Sequence, residues 1–317
     1  MSRPDVLTFG ETMAVFRATG PLRLGGTAQL SVAGAESNLA VGLARLGHAA
    51  CWVGRVGSDE LGELVLRSLR AEKVDVSHAR TDPRRPTGLF VLEPRAGHLM
   101  RASYYRAGSA GSAITARDVL PALARRPRIL HVTGITPALN RSAADAVSAV
   151  TEEARALGVT VCLDVNYRSA LWPAQRARDF LQPLARSADI VIASADELPL
   201  VAMPPGGDPD QLAAGLLAAG AEEVVITRGA AGAVAFSGRQ RADLPARQVP
   251  VTDVVGAGDA FAAGYLSGVL DGLDLPGRLG RAIAAGAFAV STRGDWEGLP
   301  TRRDLETLDV SGGTTLR

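Results

Sequence analysis

Short apolar runs alternate along this chain with stretches whose apolar residues recur every three or four positions. Val6 to Phe9 reads as a buried strand. From Glu36 to Leu46 the residues Leu39, Leu43 and Leu46 share one helical face, and Gly47 stops the helix. Ala50 to Gly54 reads as a second strand, and 59–71 as a helix burying Leu61, Leu64, Val65 and Leu69. After residue 110 the alternation becomes regular. Strands are predicted near 128–132, 159–164, 189–193 and 222–227, with helices between them. The clearest helix, 140–157, carries the stripe Ala143, Val147, Val150, Ala154 and Leu157. Such alternation predicts an α/β fold: a doubly wound, mostly parallel sheet with helices on both faces. Val234–Phe236 and Gln248–Val251 read as strands of a late hairpin-like section, 275–290 as a small-residue helix, and 311–317 as a frayed end.

Two segments interrupt this rhythm. Residues 11–33 contain Gly20, Gly25 and Gly26 but no helical period. Gly88–Leu92 and Met100–Arg106 read as two strands joined by a turn around Gly97. Segments 11–33 and 87–107 are therefore expected to form a small sheet outside the main body, a lid on one domain spanning 1–317.

Composition narrows the function. The chain has 317 residues, 47% of them hydrophobic, enough for one large core. A net charge of +1, with arginines scattered among equal numbers of acids, argues against nucleic-acid or acidic-membrane partners. Cys51 and Cys162 lie in apolar runs and read as reduced core thiols. His48, His78, His98 and His131 show no metal-ligand spacing. No apolar leader and no bilayer-length apolar run is present, so a cytoplasmic location is expected.

The chemistry concentrates in Thr252-Asp253-Val254-Val255-Gly256-Ala257-Gly258-Asp259-Ala260-Phe261. A strand-like run ends in a Gly-Ala-Gly turn, and a small-residue helix follows. Glycines let the turn aim several N–H groups at one point, and the helix start adds positive potential. Such a turn suits a phosphate or a developing oxyanion. Gly258 is the position expected to approach phosphate closely, with a positive φ. A carboxylate beside an anion site makes sense as a base taking the proton of an attacking hydroxyl, the role expected of Asp259. On its own the motif also fits a Gly-rich helix start with Asp as a cap. Other polar clusters follow predicted strands: Asp164 to Arg168, Ser194 to Glu197, and Thr227 to Gly232. In open parallel sheets ligands bind beyond the carboxyl ends of strands, so these clusters point to one site.

The segments Gly34-Ala35-Glu36-Ser37-Asn38, Ala44 to Gly47 and Gly54 to Gly62 resemble the N-terminal signature of ribokinase-like carbohydrate kinases. Asp253 to Asp259 resembles their C-terminal signature. The resemblance covers nearly the whole chain. It implies ATP-dependent phosphorylation of a hydroxymethyl group, with Asp259 as base and the N–H groups of Gly256, Ala257 and Gly258 as anion hole. Tyr104 to Ala110, Gly134 to Ala138, Asp164 to Arg168 with Leu171-Trp172, and Arg293-Gly294-Asp295 are most similar to kinases of 2-keto-3-deoxygluconate. That likeness implies sugar-acid contacts at Gly34, Asn38, Phe90, Tyr104, Arg106, Ile135, Arg168, Asp259 and Asp295. It implies nucleotide contacts at Asn166, Ser194, Thr227, Gly229, Gly232, Gly256 and Gly258. Mg²⁺ is expected near Glu197 through water, and a monovalent cation such as K⁺ at Asp253. The physics of the sugar acid agrees, because arginine presents a planar fork that holds a carboxylate bidentately. The bland alternative for Arg106 and Arg168 is pairing with neighbouring acids.

Three positions depart from the family pattern. Phe90 stands where many relatives carry tyrosine, Ser194 replaces an asparagine, and Thr227 replaces a lysine. Competing readings are a fructokinase or ribokinase acting on a neutral sugar, or a non-catalytic sugar-binding regulator on the same fold. A Rossmann dehydrogenase fits poorly, since Phe261 occupies the third glycine position, and the chain holds no P-loop Gly-x-x-x-x-Gly-Lys-Ser/Thr. A homo-oligomer is expected through the lid, whose sheet edges need covering.

Overall fold

A computed structural model describes residues 3–95 and 100–307. The expected turn at Gly97, His98 and the end 311–317 lie outside the described residues. The main sheet has eight strands in the order Gln240–Leu244, Ala233–Ser237, Glu223–Thr227, Ile190–Ser194, Thr160–Asp164, Ile129–Thr133, Val6–Phe9, Ala50–Val53. From Glu223–Thr227 to Ala50–Val53 neighbouring strands pair in parallel, and the last two strands at the other edge are antiparallel.

The strands are buried on both sides, so successive residues serve opposite layers. Leu7 and Leu163 enter one core with the helices Ala116–Leu123, Arg141–Ala156, Ala174–Ala185 and Pro209–Ala218. Val6 and Cys162 enter the other with Ala35–Arg45, Glu60–Ala71, Ala257–Leu270 and Leu275–Ser291. Both cysteines are free and buried, and burial pushes the Cys51 thiol up to about 12. No helix among the described residues is long and apolar enough to cross a membrane.

The chain leaves Val6–Phe9 toward Ala50–Val53 on one side, then returns to Ile129–Thr133 on the other. This reversal opens a crevice beyond the carboxyl ends of the strands, where Glu11 and Thr133 to Ile135 emerge.

The second sheet has four strands in the order Ala28–Ala33, Met13–Ala18, Leu89–Pro94, Met100–Tyr105, with the central pair parallel. The register places Met13, Val15, Arg17, Phe90, Leu92 and Tyr104 on one face. Met13, Val15, Ala33, Phe90 and Leu92 make its small core.

Gln248–Val251 is not a strand, and neither is the run leading into the Gly-Ala-Gly turn. The partner of Ala233–Ser237 is Gln240–Leu244, across a short turn at Gly238. The stretch 245–256 is instead irregular, and its apolar residues Val251 and Val254 are exposed.

Candidate active site

Gly256 caps the helix Ala257–Leu270 in the left-handed conformation, at φ 75° and ψ −5°. A Cβ built there would stand 1.9 Å from the Asp295 carbonyl oxygen, so only glycine fits. The positive φ therefore belongs to Gly256 and not to Gly258, which lies inside the helix with nothing within 4 Å of its would-be Cβ. The first N–H groups of a helix have no partner within it. Here the Ala257 N–H makes only a long 3.4 Å contact with the Val254 carbonyl.

Asp259, in the first turn of that helix, is buried. Asn38 Nδ2 donates to its Oδ2 at 2.8 Å, and Asn166 Nδ2 approaches its Oδ1 at 3.4 Å. Burial lifts its carboxyl from 3.8 to about 6; the Asn38 bond and the Arg168 charge oppose the rise, and the Glu36 charge adds to it. The group is thus ionised near neutrality yet able to accept a proton.

More acids surround Asp259. Glu36 is buried, accepts from Thr133 Oγ1 at 2.6 Å and Thr136 Oγ1 at 2.7 Å, and is held above the usual carboxylate range by burial. Asp164 is held well above that range by burial and by the Glu197 and Asp259 charges. Asn166, with φ 39°, donates to Asp164 Oδ2 at 3.0 Å, while its own Oδ1 is buried without a partner. Glu197 accepts the backbone N–H of Tyr167 at 2.7 Å and of Ser194 at 2.8 Å, so it ties two strand-end loops together. Among the described residues no three His, Cys, Asp or Glu side chains converge as a self-sufficient metal site. Mg²⁺ needs fewer protein ligands, because phosphates and waters complete its shell. The orphan Asn166 Oδ1 and the repelling acids Asp164 and Glu197 are the hard-oxygen surroundings that such an ion suits.

On the side of the second sheet, Gly34 allows close approach: a Cβ there would meet the Glu11 carbonyl oxygen at 2.4 Å. Arg106 is held by Glu11, with Nη2 at 2.6 Å and Nε at 2.8 Å from Oε2, and Ser109 donates a short hydrogen bond to the other oxygen. Its guanidinium lies 6.0 Å from the Tyr104 ring centre, and that ring lies 5.2 Å from Phe90. Phe90 is buried in the small core, whereas Tyr104 is half exposed. Ile135 is half-buried at the end of Ile129–Thr133. Arg168 is exposed; among the described residues the one hydrogen bond of its side chain goes to the Tyr167 carbonyl, while its own carbonyl accepts from the Leu171 N–H at 2.9 Å. Asp295 is buried, with its carboxyl lifted to about 7 by burial against the opposing charge of Arg17.

On the other side of the Gly256–Gly258 turn lies a cleft of about 390 Å³. Thr227, Gly229, Gly232 and Gly258 line it together with Val249, Val251, Val254, Phe261 and Ile283. Its walls are mostly apolar and its inner end is the glycine turn, a shape suited to a flat base with a phosphate tail. Ser194 and Asn166 stand outside this lining.

The model of the pfkB family carbohydrate kinases matches residues 3–302. The chain belongs to that family. It is 39% identical over 311 residues to a 2-dehydro-3-deoxygluconokinase of Bacillus subtilis, covering 96% of this chain and 95% of the relative. A 2-dehydro-3-deoxygluconokinase of Thermoproteus tenax is 35% identical over 311 residues, covering 96% and 94%. A ribokinase-like protein from E. coli, solved in complex with ATP and Mg²⁺, superposes at TM-score 0.88 with 25% identity, covering 97% of this chain and 98% of that one.

This pfkB kinase also places residues at its site that sequence reasoning missed. Glu11 follows the first strand directly and anchors Arg106, a position that a search of strand ends would have found. Arg17 was hidden inside an apolar strand, Met13–Ala18, as its single charged residue.

Proposed function

We propose that this pfkB kinase transfers the γ-phosphoryl group of ATP to the terminal C6 hydroxyl of 2-keto-3-deoxygluconate, the compound also called 2-dehydro-3-deoxygluconate. The observation that carries the substrate choice is Arg168. It is an exposed residue whose charge reaches Asp259 and Asp164, and among the described residues no carboxylate bonds it. A sugar acid would supply that carboxylate, and the names of the two relatives above point the same way. Arg106, by contrast, is already neutralised by Glu11, so its task is to orient Tyr104 and the sugar oxygens.

In this reading the sugar lies between the second sheet and the main body, near Gly34, Asn38, Tyr104, Ile135 and Asp295. Phe90 supports the Tyr104 ring from behind. Asp259 takes the hydroxyl proton as the oxygen attacks phosphorus, and the N–H groups of Gly256, Ala257 and Gly258 hold the charge that builds on the transferred group. The nucleotide fills the cleft at Thr227, Gly229 and Gly232. Mg²⁺, held by the phosphates near Asp164 and Asn166 Oδ1 with Glu197 behind, would neutralise phosphate charge.

On the other face of the second sheet Ala14 and Val32 are buried, Val32 in the core of the main body, whereas Leu30 is 45% and Tyr105 65% exposed. A second copy of the chain docking there would cover both side chains, so we assign the homo-oligomer to this face. The cytoplasm, where ATP is made, is the compartment that suits the reaction. A coupled ADP-release assay tests the function, with 2-keto-3-deoxygluconate, its galactonate epimer, fructose and ribose as acceptors. Highest kcat/KM on a sugar acid is expected; preference for fructose or ribose would replace this reading with a neutral-sugar kinase.

A further inference from the structure

Asp253 was the expected seat of a monovalent cation, and its surroundings do not fit one. Oδ2 accepts from Arg17 Nη1 at 2.9 Å and from the Gly294 N–H at 3.4 Å, and Oδ1 accepts from the Val255 N–H at 3.2 Å. The other end of the same guanidinium, Nη2, lies 3.3 Å from Asp295 Oδ2. Side-chain exposure is 5% for Arg17, 10% for Asp253 and 5% for Asp295. One buried guanidinium thus serves two buried carboxylates. A potassium ion would have to displace it, and the displaced charge cannot be discharged by deprotonation. Displacing it would also leave the buried Asp295 carboxylate without its countercharge, a strongly unfavourable arrangement.

The partners of Arg17 shape the anion hole. Asp253 lies three residues before Gly256, and the Asp295 carbonyl oxygen closes the space over Gly256. Arg17 itself belongs to the second sheet, on the face that carries Val15, Phe90 and Tyr104. The guanidinium therefore links the sheet proposed to cover the sugar with the turn proposed to receive the phosphate.

We propose that Arg17 is a built-in cation and positioning residue: it takes the place of a free monovalent ion at Asp253 and couples the second sheet to the Gly256 turn. Catalysis then needs no potassium. The kinetic part of this inference rests on the sugar-kinase reading above; the binding part does not.

The test uses the full chain at constant ionic strength in KCl, NaCl or tetramethylammonium chloride. Wild-type kcat and melting temperature should be the same in all three salts. Arg17→Met should lower kcat by at least about tenfold with less change in KM for ATP, the pattern of a lost transition-state interaction. In that variant alone, K⁺ or added guanidinium should restore part of kcat, and KCl should raise the melting temperature over tetramethylammonium. If Arg17→Met does not fold, Arg17→Lys keeps one charge and should be folded, slower, and indifferent to the salt. Potassium activation of the wild type by about fivefold or more, or an unchanged kcat in Arg17→Met, would overturn the proposal. Failure to phosphorylate 2-keto-3-deoxygluconate would count against the substrate alone, because the salt dependence of melting reads Arg17 without any substrate.

Discussion

Asn38 and Asp259 stand 221 residues apart in the chain and 2.8 Å apart at the site, the amide of one donating to the carboxylate of the other. The bond joins the two family signatures, since Asn38 sits on the helix Ala35–Arg45 and Asp259 on Ala257–Leu270. A donor to the ionised form holds a buried carboxylate partly charged against the pull of desolvation. Asn38→Leu removes the donor, so the Asp259 carboxyl should move above its present value of about 6. The acid limb of the kcat/KM profile, which reports the free enzyme, should then shift upward by about one pH unit. An acid limb that stays in place would show that Asn38 does not tune the base.

Asp259→Asn keeps the shape and removes the proton acceptor. Its kcat should fall by about 10²–10⁴, with nucleotide binding preserved. Stability should move the other way. The wild-type carboxyl titrates near 3.8 when unfolded and at about 6 in the fold, so the native state binds the proton more tightly. That stabilisation is complete below pH 3.8 and is lost as pH rises through 6, a difference of about 3 kcal/mol. The asparagine variant never carries the buried charge. Its melting temperature should exceed wild type by about 5 °C at pH 8 and should show no advantage near pH 4. Thermal melts across that range decide the matter; equal melting at pH 8 would mean that the carboxylate is better solvated than its burial implies.

How much was legible beforehand follows from where the information sits. The strand–helix alternation and the interruptions at 11–33 and 87–107 are local patterns, and the main sheet and the four-stranded sheet follow them. The Gly-Ala-Gly turn is local too, but the left-handed position is Gly256, against the Asp295 carbonyl across the fold, and spacing alone does not separate it from Gly258. The apolar run around Val251 looked like a strand because it is hydrophobic, yet it has no sheet partner and lines the cleft instead. Arg17 and Glu11 escaped for a related reason. Each works only through partners more than ninety residues away, Asp253 for the first and Arg106 for the second. The place of Glu11 just past a strand end is visible in the sequence, but spacing carries no trace of either pairing.

The glycines of the turn should separate by mechanism. Gly256→Ala places a methyl group against the Asp295 carbonyl oxygen and forces an L-residue to φ 75°, so it should destabilise the chain by roughly 1–3 kcal/mol as well as lower kcat. Gly258→Ala meets no protein atom. It should melt like the wild type but lose activity, because its methyl group points into the space proposed for phosphate. Chemical denaturation and kcat measured on both variants give the comparison. A Gly258→Ala enzyme with full turnover would show that the helix start does not cradle the transferred group.

Arg168 decides whether the substrate is an acid. It is exposed in the middle of the loop between Thr160–Asp164 and Ala174–Ala185, and among the described residues its side chain's one hydrogen bond goes to the neighbouring Tyr167 carbonyl. A bidentate contact with a sugar carboxylate would be charge-assisted, worth on the order of 1.5–3 kcal/mol, or about 10- to 150-fold in kcat/KM. Arg168→Ala should therefore lose that factor on 2-keto-3-deoxygluconate and little on fructose, which has no carboxylate to hold. Arg168→Lys should recover part of the loss, since a point charge remains without the fork. The nearby acids complicate a simple deletion. Arg168 also lowers the Asp259 and Asp164 carboxyls through its charge, so its removal should raise the acid limb for both sugars. Measuring at pH 8, well above that limb, isolates the binding contribution. An equal loss on both sugars at pH 8 would place Arg168 in the handling of ATP or in the folding of its loop, and the acid-specific reading would fall.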